Sequence, residues 1–381
     1  MLTLMKLELK KIINRPAFFV GILASIIVLF GIFFTSFYYS QLSLSERNNV
    51  SKGSEQVYWK VVKKYTGDFN DETVKNVLSD FVSEYQKYPV EKRPFNLFAS
   101  NIADDFFPTD TDVYTTMNKA MENGETVTID QINLKSVADL GFPTFKTPLK
   151  LGSYVTWSDL FKVSGYIFVL GLCITIVLSS SIFSGEVARN IHQLLVSTKF
   201  GRTKMVQAKI VGTTLLSALC FILLEIITFL VFIIYNKGFS GWDTSIQTNF
   251  SLKLFTFPAE MNQLQVYIVM LLFYLLALLA TASITLLVSS LTSAPITSLI
   301  ISTAITLAPL GLIKVFRSGI INKLLYLIPI NNFTTGDFLT FFSGQSGLLT
   351  NSFYLNIAII FTILILVQLS SNTLILYRFK K

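Results

Sequence analysis

One carboxylate set inside an apolar run is the first place in this chain where chemistry has a foothold. Glu225 is flanked by Leu223, Leu224, Ile226 and Ile227, and a charged side chain at the centre of a bilayer costs at least roughly 2.5–3.5 kcal/mol. It must therefore face a polar cavity or a partner, or be protonated. Three roles stay open: lining a translocation path, carrying a proton, or hydrogen-bonding a neighbouring helix. Other reactive side chains are sparse. His192 is the only histidine and lies in a short amphipathic stretch, where a surface contact is expected rather than a catalytic base. Cys173 and Cys220 both fall in apolar runs, so the polar parts have no disulfide framework. There is no paired Cys/His set at metal spacing, no G-x-S-x-G elbow and no G-x-x-x-x-G-K-[ST] phosphate loop. Catalysis and metal binding within this chain are not expected, and any uphill transport would draw its energy from another protein.

The elements around Glu225 are membrane spans. Hydrophobic residues make up 52% of the chain and charged residues 14%, against about 25% charged in an average soluble domain. The net charge of +8 does not point to nucleic acid, because of where it lies. Residues 40–160 hold 13 Lys/Arg against 17 Asp/Glu, so the positive charge belongs to the membrane-flanking parts, where it sets topology. Met1 to Arg15 carries Lys6, Lys10, Lys11 and Arg15 against Glu8, and an uncharged run follows from Pro16 to about Tyr39. That run is too long for a signal peptide and has no small-x-small cleavage pattern after it, so it reads as an uncleaved first span. Further runs at Val163–Phe183, Val211–Tyr235, Leu264–Val288, from Pro295 to about Pro309, and Phe353–Leu376 make six spans with both termini in the cytoplasm. Pro309 with Gly311 suggests a kink or the end of the fifth. Between Lys314 and Asn351 the apolar pieces are each too short to span.

Residues 40–160 form the only large polar portion, facing outside. Asn70 or Asp71 can cap a helix whose Val74, Val77, Leu78, Phe81, Val82 and Tyr85 repeat at helical spacing up to Pro89, and Asp112 can cap another through Met121, with Gly124 after it. Alternation of Val127 and Ile129 with polar neighbours predicts a short strand within 125–132. The expected fold class is thus an all-α polytopic membrane protein of six transmembrane helices, with a mainly helical extracellular domain between helices 1 and 2 that the strand would make α+β.

The stretch from Phe183 to Lys209 lies between the second and third spans. Val187, Ala188, Ile191, Leu194 and Leu195 share one helical stripe, while Glu186, Arg189, Asn190 and Gln193 take the other side. Lys199 would sit in the last turn, Gly201 at its end, and Arg202, Lys204 and Lys209 lead into the next span. A flat amphipathic helix, a turn and a basic collar are expected.

This order of parts resembles the first cytoplasmic loop of type-2 ABC export permeases, where a Glu opens an amphipathic coupling helix, followed by Leu-Leu, a Gly-Arg or Ser-Arg turn, and a Lys at the next membrane helix. The matching residues are Glu186, Leu194 and Leu195, Gly201 and Arg202, and Lys209. The family often has Gly-Thr after the Glu, where this chain reads Asn190 and Ile191. The resemblance implies an ATPase-coupling helix over 184–200 that docks in a groove of an ABC-type ATPase, with Glu186 and Arg189 in polar contact with it, the apolar stripe of Ile191, Leu194 and Leu195 packed against the cytoplasmic helix ends, Gly201 at the turn, and Arg202 and Lys209 anchoring the third helix at the headgroups. It implies short helices dipping into the outer leaflet over 314–351, and a bacterial cell membrane location. Two ATPase copies would carry ATP and Mg, and a second permease subunit would complete a homo- or heterodimer in membrane lipid. The substrate would be a drug, an antimicrobial peptide or a lipid-like molecule. A non-transporting receptor or immunity protein that captures an extracellular ligand is the alternative. A proton-driven transporter using Glu225 is disfavoured, since no inverted repeat accompanies that lone acid.

Overall fold

A computed structural model describes residues 2–14, 16–43, 53–89, 92–198, 201–344 and 349–380. The chain opens with α1 (Leu2–Ile13) and α2 (Pro16–Phe33), which a π-helical turn extends over Phe34–Tyr38. The polar part follows: α3 (Ser54–Tyr65), β1 (Gly67–Asp68), α4 (Asp71–Lys87), α5 (Leu97–Phe106), α6 (Val113–Glu122) and β2 (Lys150–Leu151). The long α7 (Val155–Ser180) leads to two short helices, α8 (Ser184–Ala188) and α9 (His192–Ser197), and then to α10 (Lys204–Tyr235) and α11 (Gln263–Leu291). The chain finishes with α12 (Pro295–Val315), α13 (Gly319–Leu325), α14 (Thr335–Phe342) and α15 (Phe353–Lys380).

Six helices among the described residues are long and apolar enough to cross a membrane: α2 with its π turn, α7, α10, α11, α12 and α15. This is the expected all-α, six-span fold class. Hydropathy alone marks where lipid begins, not where a helix does. The third span was expected from Val211, whereas α10 starts at Lys204, two turns earlier, and its 32 residues reach about 48 Å at 1.5 Å each, beyond the hydrocarbon core. Pro309 lies inside α12, which runs on to Val315. One missing N–H does not end a helix where the other backbone groups have no water to turn to.

The chain divides into two units. The first takes residues 1–32, 162–230 and 268–381. Ile12 of α1, Leu178 of α7, Val206 and Ile210 of α10, Leu286 of α11, and Ile375 and Phe379 of α15 close one cluster around Ile182 and Phe183. Elsewhere in this unit, Phe168 stacks on Tyr274 at 4.4 Å, and the Tyr274 hydroxyl donates to the Phe333 carbonyl at 2.7 Å. A Cβ at Gly165 would overlap that same carbonyl oxygen, so glycine lets the segment after α13 approach α7. Over 314–351 the described elements are α13, a 3-10 turn at Pro329–Asn332 and α14, each too short to span, as expected.

The second unit comprises residues 33–161 and 231–267. The polar domain expected over residues 40–160 is joined by the stretch between α10 and α11. Phe250 is buried against Phe69, Phe106 and Tyr154, with ring centroids 5.5–6.1 Å apart. Gln247 donates to the carbonyls of Phe257 and Ala259, and Asn249 to Gln263, so the amide nitrogens that enter this core are bonded. Asn70 caps α4 by accepting from Thr73 N at 2.8 Å, and Asp112 caps α6 by accepting from Thr115 N at 3.1 Å. The strand expected within 125–132 is absent. Gln86 takes the place of a partner strand: its Nε2 donates to the Val127 carbonyl at 2.8 Å, and its Oε1 accepts from Val127 N at 2.7 Å. Ile129–Gln131 then forms a 3-10 turn under a Thr128–Gln131 capping box. The described strand pairing is β1 with β2, two residues each.

Candidate functional site

The loop between α7 and α10 was expected to hold one continuous helix over 184–200; it holds two short ones with a reversal between them. Asn190 adopts φ 58°, its N–H donates to the Val187 carbonyl at 3.0 Å, and the Ile191 N–H donates to the Glu186 carbonyl at 3.2 Å. Those two bonds close α8 in a Schellman motif, which requires a left-handed residue at this position. Asn is the non-glycine residue that tolerates it best. The departure from the Gly that the resemblance led one to expect is thus accommodated.

Arg189, Asn190 and Gln193 are exposed, as expected of the polar side, but Glu186 leaves that side, and Ile191 and Leu194 of the apolar stripe are exposed. Glu186 was placed on the polar, partner-facing side, but its side chain is buried, 7% exposed, and paired with Lys209. Lys209, expected as a headgroup anchor, is 2% exposed; its Nζ also lies 3.8 Å from Glu8 Oε2 and 5.5 Å from the centre of the Phe183 ring. Glu8 in turn holds Lys11 at 2.7 Å. Two carboxylates and two ammoniums thus tie α1, α8 and α10 together. The two departures have separate causes: Glu186, which precedes the turn, is buried as part of a charge pair, and the αL turn at Asn190 changes the direction in which α9 presents its residues.

Among its polar residues the loop turns two large apolar side chains outward. Leu194 is 70% exposed and Ile191 38%, with Leu195 half-buried between them and the core. Arg189 and Arg202 are exposed too. Gly201 follows α9 so closely that a Cβ would overlap the Leu195 carbonyl oxygen, which accounts for glycine there although its φ is not left-handed. Lys199 and the side chain of His192 lie outside the described residues.

A second strap fixes the start of the loop. Ser289 near the end of α11 accepts from the N–H groups of Phe183 and Ser184 at 3.1 Å each, and its hydroxyl donates to the Ser180 carbonyl at 2.7 Å. It satisfies the open backbone groups where α7 ends and α8 begins. Sequence reasoning missed both Ser289 and Glu8. Glu8 carried a signal, as the one acid in a basic head, four residues before the buried Ile12. Ser289 carried none.

Glu225 is 5% exposed, and Ser164 of α7 donates to its Oε2 at 3.1 Å. Of the three roles open to it, this contact matches the bond to a neighbouring helix. The structure does not bring Glu225 together with the loop residues. No cluster of His, Cys, Asp or Glu among the described residues has the makings of a metal site.

No curated protein and no solved structure matches this chain. The sequence model described as "ABC-2 family transporter protein" matches residues 2–381, loop, spans and polar unit alike. A match over that length, on a chain with six membrane-length helices, places this multi-pass membrane protein in the ABC-2 transporter family.

Proposed function

We propose that the chain is the permease subunit of an ATP-driven exporter, and that the loop from Ser184 to Arg202 is its docking element for an ABC-type ATPase. The observation that carries this is an exposed apolar pair, Ile191 and Leu194, flanked by Arg189 and Arg202, on a loop strapped by Ser289 and by the Lys209 ion pairs to four helices of the unit. A greasy centre with an arginine rim has the composition of a protein interface. Two straps make the loop a lever, because movement of α8 is passed to α1, α10 and α11 rather than absorbed.

In this reading Arg189, Ile191, Leu194 and Arg202 touch the partner, whereas Glu186 and Lys209 hold the element in place from behind. ATP and Mg belong to the ATPase, two copies of which serve a pair of permease subunits. Both termini and the loop are cytoplasmic, the second unit is extracellular, and the membrane is that of a bacterial cell. Six spans return both basic termini to the side of this loop, which supports the orientation.

Mild-detergent copurification with a tagged chain tests the reading. An ABC-type ATPase should come down with the wild type and be lost with Leu194→Asp. Retention of the ATPase by Leu194→Asp and by Arg189→Glu alike would remove the loop from the interface. If no ATPase copurifies, the chain reads instead as a non-transporting membrane receptor.

A further inference from the structure

The second unit holds a cavity of about 430 Å³ between α4, α5, α6 and the segment before α5. Among the described residues, its charged lining is Glu84, Asp104 and Arg93, and its aromatic lining includes Tyr85, Tyr114 and Phe95. The guanidinium of Arg93 is already engaged: it lies 3.5 Å from the centre of the Tyr85 ring and donates to the Tyr88 carbonyl at 3.2 Å. The box therefore holds one cation of its own, stacked on an aromatic face, against two carboxylates.

Neither carboxylate is used up. Among the described residues, Tyr114 donates to Oδ1 of Asp104 at 3.1 Å, leaving Oδ2 as an acceptor, and Glu84 receives a long 3.4 Å bond from Asn96. Burial and the Asp104 charge push the Tyr114 phenol well above its ordinary value, so it remains a donor that orients Asp104. Phe95, 41% exposed, supplies an apolar surface at the cavity. The stretch from 40 to 160, with four more acids than bases, favours approach of a cation.

We propose that this cavity binds an organic cation with an apolar body, an arginine- or lysine-type side chain next to an aromatic or alkyl group. The charge rests between Glu84 and Asp104, and the apolar part against Tyr114 and Phe95.

The test uses the full chain in nanodiscs of zwitterionic lipid, without any ATPase, so its outcome is independent of whether the 184–202 loop docks one. Calorimetry compares acetyl-Arg-Phe-amide with acetyl-citrulline-Phe-amide, which has nearly the same shape and no charge. The arginine peptide should bind at least tenfold more tightly, and Glu84→Gln with Asp104→Asn should bring the two to the same level. Phe95→Ala should weaken both peptides in parallel and keep their ratio. Equal binding of the two peptides by the wild type, no binding of either, or a charge preference that survives in the double variant overturns the proposal.

Discussion

Lys209→Met is the perturbation that most directly probes how the loop is held. The substitution keeps an unbranched apolar stem of similar length and deletes the ammonium, leaving Glu186 buried without its cation; Glu8 still has Lys11 at 2.7 Å. Removing one partner of a buried pair costs about 3–5 kcal/mol. Glu186→Gln is milder. Lys209 then retains Glu8 at 3.8 Å and can still donate to the glutamine carbonyl, so the loss is that of one charge-assisted bond, about 1.5–3 kcal/mol.

The double variant decides the argument. With both Lys209 and Glu186 neutral, no charge is left stranded, so its cost should fall below that of Lys209→Met alone. The departure from additivity then exceeds the cost of Glu186→Gln itself, about 1.5–3 kcal/mol. Trp59, Trp157 and Trp242 all belong to the second unit, so tryptophan fluorescence does not report on this site. Helicity by far-UV circular dichroism across a denaturant titration in mixed micelles does. Additive costs, or a Lys209→Met no worse than Glu186→Gln, would refute a buried strut and return Lys209 to the headgroup region. Glu186→Lys, which a partner-facing role would predict to uncouple transport in a sound protein, should instead destabilise, because it sets a second ammonium beside Lys209.

Other positions give separate checks. Asn190→Gly should leave copurification with the ATPase unchanged, while Asn190→Val, forced into a left-handed backbone at about 1–2 kcal/mol, should speed hydrogen exchange at the Ile191 amide. Gln86→Leu removes both bonds to Val127 and should lower the stability of the second unit by about 1–3 kcal/mol, read by tryptophan fluorescence. Partial burial raises the Asp80 carboxyl, but bonds from Lys64 and Tyr65 outweigh this and hold it below its ordinary 3.8. Its contribution is therefore complete above that value and is lost as pH falls through the lower folded value; Asp80→Asn should flatten the stability profile there and nowhere else. Glu225→Gln keeps an acceptor for Ser164 and should preserve transport, whereas a transport defect in a stably inserted Glu225→Gln would show that the charge itself is needed.

What could be read from the residues alone followed from interactions that are local or that the solvent imposes. The spans were legible because lipid tolerates little else, and the caps at Asn70 and Asp112 because a cap is a contact over three residues. The strand misread within 125–132 had the right alternation, but its backbone partner is a side chain 41 residues away. The loop shows the same limit at the site itself. Its order of parts, from Glu186 to Lys209, was visible, yet a stripe counted along one continuous helix assumes a constant rotation per residue, and Asn190 interrupts it. Every residue after that point is then presented in a direction the count does not supply.

Burial of the charges was hidden for a different reason. Lys209 near the start of a span has the composition of a headgroup anchor, and only its carboxylate neighbours, one of them near the amino terminus, make it an internal strut. Composition distinguishes charged from apolar, but the difference between a lysine that meets water and one that meets Glu8 lies in which distant segment packs beside it. That difference changes the places assigned in the loop: Glu186 and Lys209 brace it from behind, and Ile191 and Leu194 are exposed along with Arg189 and Arg202.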